Sequence, residues 1–387
     1  MKGITTIPYG RQNISEDDIA AVVDVLRSDW LTQGSVVPEF EAAVAAHCEA
    51  SHAVAVNSAT SALHIACLAL GLSAGDWLWT SPLTFVASAN CALYCGAQVD
   101  FVDIDPATGN LSAQQLAEKL ALAKQSGKLP KVVVPVHLCG EPCDMQAIHT
   151  LSKEYGFRII EDASHAIGAR YLDEPIGNCC YSDITVFSFH PVKIITTGEG
   201  GMAVTQDPEL ARRMVLLRSH GITRDPTCMT RPTDGDWYYQ QIALGYNYRM
   251  TELQAALGLS QMTRLQAFIE RRHALAQRYD QLLQGLALTL PFRNPASHSA
   301  LHLYPVQVAP ARRRQIVDAL RDAGILVNVH YIPVHSQPYY ERIGFRSGDF
   351  PHAERYYAGT ISLPLYPMLD EAVQDRVVTQ LTEAIAL

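Results

Sequence analysis

At 387 residues, with 48% hydrophobic and 18% charged content, the chain has the make-up of a globular protein with room for two domains and a large core. Its formal charge of −9 argues against broad nucleic-acid binding, which needs a basic face, without excluding a locally positive pocket for a small anion. Residues 1–10 lack the apolar run of a secretory leader, and the most apolar stretch, Ala62 to Leu72, is shorter than the ~20 residues that span a bilayer, so neither export nor membrane insertion is expected.

In chain order, short β-branched runs alternate with helical stretches, the pattern of an α/β protein. Strands are predicted at 53–57, 78–81, 98–102, 132–135, 158–161, 184–187 and 201–205. Helices are predicted between them at 59–70, 85–94, 112–124, 145–155 and 208–219. Apolar strands flanked by helices imply a mostly parallel sheet covered on both faces, with ligands beyond the carboxyl ends of its strands. A proline-free helical pattern then runs from Glu252 to about Leu286. Beyond it, 301–308, 311–323, 325–329 and a last helix at 370–386 read as a smaller α+β unit. The division expected is 1–250 for a large domain and 251–387 for a long linking helix with a small C-terminal domain.

Four local patterns carry chemistry. The strand A-V-A-V leads into Asn57, Ser58, Ala59, Thr60 and Ser61 and then a helix, whose N-terminal N–H groups and hydroxyls suit a phosphate dianion. An ordinary N-cap has the same appearance. Next, R-I-I-E-D-A-S-H ends a strand on Glu161 and Asp162, with His165 three residues on. Such a carboxylate can bind metal, act as a base, pair with a buried cation or merely cap a helix. The third, F-S-F-H-P-V-K-I-I-T-T-G-E-G-G, sets Ser188 and Lys193 in an apolar, constrained loop just past a strand. A surface lysine would normally have charged neighbours. A lysine that forms an imine must spend time neutral, which desolvation and a nearby cation favour. The last, Y-N-Y-R-M, puts Asn247 before the long helix and by itself predicts no function.

His137, Cys139, Cys143, Cys179 and Cys180 lack the paired C-x-x-C spacing of a zinc site and read as small buried residues, so no metal is expected. All nine cysteines are expected to be reduced thiols in a cytoplasmic protein.

Taken in order, N-S-A-T-S-A-L, E-D-A-S-H-A-I-G, F-S-F-H-P-V-K and Y-N-Y-R-M resemble successive blocks of the DegT/DnrJ/EryC1/StrS sugar aminotransferases, a branch of the pyridoxal-phosphate (PLP) fold type I enzymes. The likeness runs from about Ile7 to the C-terminal region. It implies that Lys193 carries PLP as an imine and shuttles a proton, and that Asp162 keeps the pyridine nitrogen protonated. It further implies that Phe85 stacks on the ring, that His165 lies beside it, and that Ser58, Ala59, Thr60 and Ser188 hold the phosphate. Asn247 would reach the phosphate of a neighbouring subunit, giving a homodimer with shared sites. The segments I-P-Y-G-R-Q, S-D-W-L-T-Q-G and N-V-H-Y-I-P-V-H look most like the family's pseudaminic-acid members. On that likeness Tyr9, Asp29, Trp30, Leu31, Thr32, His330, Tyr331, Ile332 and Pro333 would line a site for a UDP-linked 4-keto sugar, with L-glutamate as amino donor. A GDP-, dTDP- or UDP-pentose-type keto sugar is the alternative. A PLP-dependent sugar dehydratase, the rival on this fold, carries histidine where this chain has Lys193.

Overall fold

The structure, a computed structural model, describes residues 6–386. Residues 1–5, part of the segment read above for a leader, lie outside the described residues. A two-residue strand β1 (Ile7–Pro8) precedes helices α1 (Glu16–Arg27) and α2 (Val36–Cys48). Then follow β2 (His52–Val56), α3 (Ala59–Ala69), β3 (Trp77–Thr80), α4 (Ala87–Tyr94), β4 (Gln98–Phe101), α5 (Ala113–Ser126), β5 (Val132–Val134), α6 (Met145–Tyr155) and β6 (Arg158–Asp162). A small hairpin, β7 (Arg170–Tyr171) and β8 (Glu174–Pro175), leads to β9 (Ile184–Ser188), β10 (Gly201–Thr205) and α7 (Pro208–Arg218).

The seven predicted strands form one sheet in the order β2-β10-β9-β6-β5-β3-β4. Only β10 runs antiparallel to its neighbours; the other pairings are parallel. Val132–Val134, Ile184–Ser188 and Gly201–Thr205 are buried at every position, as strands covered on both faces must be. One apolar core lies under α2 and α6, and a second lies between the sheet and α3, α4 and α7.

The expected single helix from 252 to 286 is in fact two, α8 (Glu252–Met262) and α9 (Leu265–Leu282). No proline causes the break. Asp18, wholly buried on α1, accepts hydrogen bonds from Ser260 Oγ (2.6 Å) and Gln261 Nε2 (2.7 Å) and pairs with Arg264, which leaves the helical conformation at φ −112°. Satisfying one buried carboxylate outweighs one turn of continuous helix.

A third core joins Ile7 to Leu275, Tyr279, Tyr304, Leu320, Ile361 and Val377. There the antiparallel pair Tyr304–Gln307 and Thr360–Leu363 is flanked by helices Pro310–Asp322 and Glu371–Ala386. Strand β1 pairs in parallel with Ile325–Leu326, so the start of the chain is built into this last unit. No helix among the described residues is long and apolar enough to cross a membrane.

Candidate active site

Alternation along β6 sends its last two carboxylates to opposite sides of the sheet. Glu161 accepts from His137 Nε2 (2.8 Å) and Thr185 Oγ1 (3.0 Å), while His137 Nδ1 accepts the Cys143 amide (3.1 Å). Both nitrogens of His137 are thus engaged inside the protein. Asp162, only 5% exposed, faces the other way. Its Oδ2 accepts from Ser88 Oγ (2.6 Å), and its Oδ1 accepts from the Ser164 amide and hydroxyl (3.1 and 2.6 Å).

Lys193 follows β9 in a loop that closes on itself. The Phe189 amide donates to Gly200 O (2.9 Å), the Thr197 amide to Phe189 O (3.0 Å), and the Lys193 amide to His190 O (2.9 Å). Ile194 and Ile195 anchor the loop in the core. Burial pulls the Lys193 amine down to about 8, against the opposing influence of the Asp162 carboxylate and the Cys139 thiol. A substantial fraction of this amine is neutral near physiological pH, the form that can attack a carbonyl or accept a proton.

The strand-to-helix turn at 57–61 forms an anion cradle. Ser58 caps α3, its Oγ accepting the Ser61 amide (3.1 Å). The amides of Ala59 and Thr60, at the first positions of the helix, have no intrahelical acceptor and face the macrodipole's positive end. Ser188 ends β9 directly opposite Gly201 of β10. A Cβ on Gly201 would stand 2.5 Å from the Ala59 nitrogen, so glycine is what allows strand and helix N-terminus to meet.

Above the carboxyl ends of the strands, Phe85 (57% exposed) faces Tyr331, with ring centroids 6.2 Å apart. Tyr331 Oη lies 3.1 Å from His165 Nε2, and His165 Nδ1 accepts the Cys139 amide at 3.2 Å. Tyr9 packs on His330 at 5.2 Å, and the Val334 amide bonds to Pro82 O (2.8 Å), seating the 330–334 segment on the large sheet's loops. Burial, with Lys193 nearby, holds His165 and His302 well below the ordinary imidazole value and His330 at about 3. These rings are neutral at physiological pH.

The structure therefore gathers Ser58, Ala59, Thr60, Phe85, Asp162, His165, Ser188, Lys193, Tyr9, His330 and Tyr331 around the ends of β2, β6, β9 and β10. Ile332 turns outward at 49% exposed, and Pro333 is buried behind it. Asp29, Trp30, Leu31 and Thr32 are exposed at the start of α8, where the Glu252 amide bonds to Leu31 O (3.0 Å); no contact joins them to Lys193 within the described chain. Asn247 is likewise exposed, on a bridge to Ser219. Sequence reasoning missed Ser88, Ser164 and His302 and took Cys139 only as a buried thiol. Ser88 sits one helical turn after Phe85, and that spacing was the available signal; nothing local marks His302.

The residues present fit pyridoxal phosphate. A buried carboxylate held by three donors suits a protonated pyridine, a partly neutral lysine suits covalent attachment, and the α3 cradle, which a Cβ at Gly201 would fill, suits the phosphate. That combination on a mostly parallel sheet is the signature of the fold type I PLP-dependent enzymes. A family model for the DegT/DnrJ/EryC1/StrS aminotransferases matches residues 12–382, and the chain belongs to that family. It is a PLP-dependent sugar aminotransferase. Spore coat polysaccharide biosynthesis protein SpsC of Bacillus subtilis is 41% identical over 95% of both chains. The UDP-4-amino-4,6-dideoxy-N-acetyl-beta-L-altrosamine transaminase of Campylobacter jejuni is 36% identical over 93% of this chain and 92% of its own. Among solved structures, Helicobacter pylori PseC, an aminotransferase of pseudaminic acid biosynthesis, superposes with a TM-score of 0.89 at 30% identity, covering 99% of this chain and all of that one.

Proposed function

We propose that this enzyme moves the amino group of L-glutamate to C4 of UDP-2-acetamido-2,6-dideoxy-β-L-arabino-hexos-4-ulose, giving UDP-4-amino-4,6-dideoxy-N-acetyl-β-L-altrosamine for pseudaminic acid biosynthesis. The observation that carries the transamination chemistry is the partly neutral Lys193 set against the buried Asp162. The choice of sugar is supported by the likeness to the altrosamine transaminase and to PseC.

Bound PLP supplies the electron sink and carries the amino group between the two substrates. Asp162, fixed by Ser88 and Ser164, keeps a proton on the pyridine nitrogen. Lys193 would hold the cofactor, and its partly neutral amine would be the base for the amino donor's α-proton. Phe85 and His165 flank the ring, and Ser58, Ala59, Thr60 and Ser188 bind the phosphate. Tyr9, His330, Tyr331, Ile332 and Pro333 shape the sugar side, with Asp29, Trp30, Leu31 and Thr32 completing it. Residues 1–250 act as the cofactor-binding unit and 251–387 as the linking helices and smaller unit, in a cytoplasmic enzyme.

In a panel with PLP and L-glutamate, the L-arabino 4-ulose is expected to exceed the D-xylo 4-ulose and a dTDP-4-keto-6-deoxyglucose in kcat/KM. An apolar wall alone gives about 1–3 kcal/mol of discrimination, and unpaired buried polar groups add more, so the preference is strong rather than absolute. A win for either competitor overturns the sugar and leaves the transamination standing. SpsC, at the higher identity, is named for spore coat polysaccharide and not for pseudaminic acid, which leaves room for a second reading, amination of a different nucleotide-linked 4-keto sugar; the same panel separates the two.

The exposure of Asn247 supports a homodimer in which this residue reaches the phosphate held by the other subunit. Asn247→Asp would set a carboxylate against that phosphate and weaken cofactor retention. Mixing inactive Lys193→Ala and Asn247→Asp subunits is expected to restore activity through one intact site per mixed dimer. With subunit exchange verified by mass spectrometry, no recovery would refute the shared site.

A further inference from the structure

His165 cannot serve as acceptor at both nitrogens, because a neutral imidazole carries one N–H. Its Nδ1 faces the Cys139 backbone amide, an obligatory donor, at 3.2 Å, so Nδ1 holds the lone pair and Nε2 the hydrogen. His165 Nε2 must then donate to Tyr331 Oη across 3.1 Å. Cys139 is held for this task in the left-handed region at φ 60°, beside Gly140 at φ 94°. A Cβ at Gly140 would meet His165 O at 2.9 Å, so this turn is pressed against the histidine's own backbone. Protonating His165 would set N–H against N–H at Cys139, and the burial that holds its pKa down opposes that as well.

The consequence falls on Tyr331. Its oxygen is already occupied as an acceptor, and no group among the described residues takes its hydroxyl hydrogen. Burial also keeps the phenol protonated, well above its ordinary pKa. The Tyr331 ring lies nearly parallel to His165 (interplanar 22°), with Phe85 on another side at 6.2 Å between centroids.

We propose that Tyr331 is a specificity-determining hydrogen-bond donor, its polarity set by the chain Cys139 N–H to His165 to Tyr331, which presents one hydrogen to an acceptor oxygen of the bound sugar. The assignment rests on the sugar-aminotransferase reading above. A ligand that brings a donor to this place meets a hydrogen it cannot accept and is rejected, as is one without an oxygen there.

The test uses Tyr331→Phe in the PLP-bound holoenzyme. Each half-reaction is followed by absorbance: L-glutamate without sugar, then the preferred keto sugar of the substrate panel with the aminated enzyme. The sugar half is expected to slow roughly 10–100-fold, at least tenfold more than the donor half. Calorimetric binding of the corresponding UDP-amino-sugar product should weaken by a similar factor. Equal losses in both halves, or unchanged product affinity, would overturn the proposal. Independently, ¹⁵N chemical shifts of His165 are expected to show a pyridine-like Nδ1 and a pyrrole-like Nε2, and the reverse tautomer refutes the polarity. Should wild type aminate none of the sugars, the substrate reading fails, while the tautomer measurement still decides the chain.

Discussion

Lys193→Ala is expected to abolish turnover, by on the order of 10⁴-fold or more, while the cofactor still binds through its phosphate. The purified wild type should be yellow and shift its absorbance on adding L-glutamate alone; the variant should bind PLP reversibly and show no such shift. Near-normal transamination by the variant would sink the mechanism. The same residue makes a claim about stability in cofactor-free protein. Its amine falls from an ordinary 10.5 to about 8 on folding, so the unfolded chain binds more protons between those values and stability rises with pH across that window. Below pH 8 the folded state carries the full cost of a charged buried amine, on the order of 3 kcal/mol, and above 10.5 the cost is gone. Lys193→Met, which has no charge to bury, should therefore be more stable than wild type at pH 7, with the gap closing toward pH 10.5. Chemical denaturation of both proteins across this range measures it. A gap independent of pH would mean that the amine is not desolvated.

Asp162→Ala is expected to fold and to lose on the order of 100-fold or more in rate, because a pyridine without its proton is a poor electron sink. Removing the carboxylate also takes the acceptor from the Ser164 amide and hydroxyl and one partner from Ser88 Oγ, which keeps Thr84 Oγ1 at 2.8 Å, so a stability loss of about 1 kcal/mol accompanies the loss in rate. Asp162→Asn keeps the volume and an acceptor oxygen without the charge. It should recover much of the lost stability and little of the rate, and that split separates an electrostatic role from a structural one. Retention of most of the turnover by both variants would reduce Asp162 to a cap for the Ser164 turn.

The large sheet was legible because parallel strands covered on both faces are continuous apolar runs, and Val132–Val134 and Ile184–Ser188 are of that kind. The residues proposed to hold the cofactor stood out because each lies at or just past the end of a sheet strand, in a short run whose chemistry is written in adjacent positions. What could not be read is long-range pairing. Ile7–Pro8 is too short to carry a period, and its partner lies more than 300 residues away. The break at 263–264 arises from Asp18 on another helix, not from any breaker in the α8–α9 sequence. Within the site, Asp162 was evident, but its Ser88 donor comes from α4, and the orientation of His165 is fixed by a backbone amide at Cys139, which no side-chain pattern can announce.

The pairing of Ile7–Pro8 with Ile325–Leu326 also has a consequence for biogenesis. During synthesis the seven strands of the large sheet, complete at Thr205, can assemble while the rest of the chain is still being made. The N-terminal segment cannot, since its partner strand leaves the ribosome only after some 300 further residues. Tyr9, which that segment carries, stands beside His330, and its carbonyl accepts the Leu365 amide (3.0 Å). The strands and turns that carry Ser58, Asp162 and Lys193 can thus be in place early, whereas the wall formed by Tyr9 and His330 closes only when translation is nearly finished.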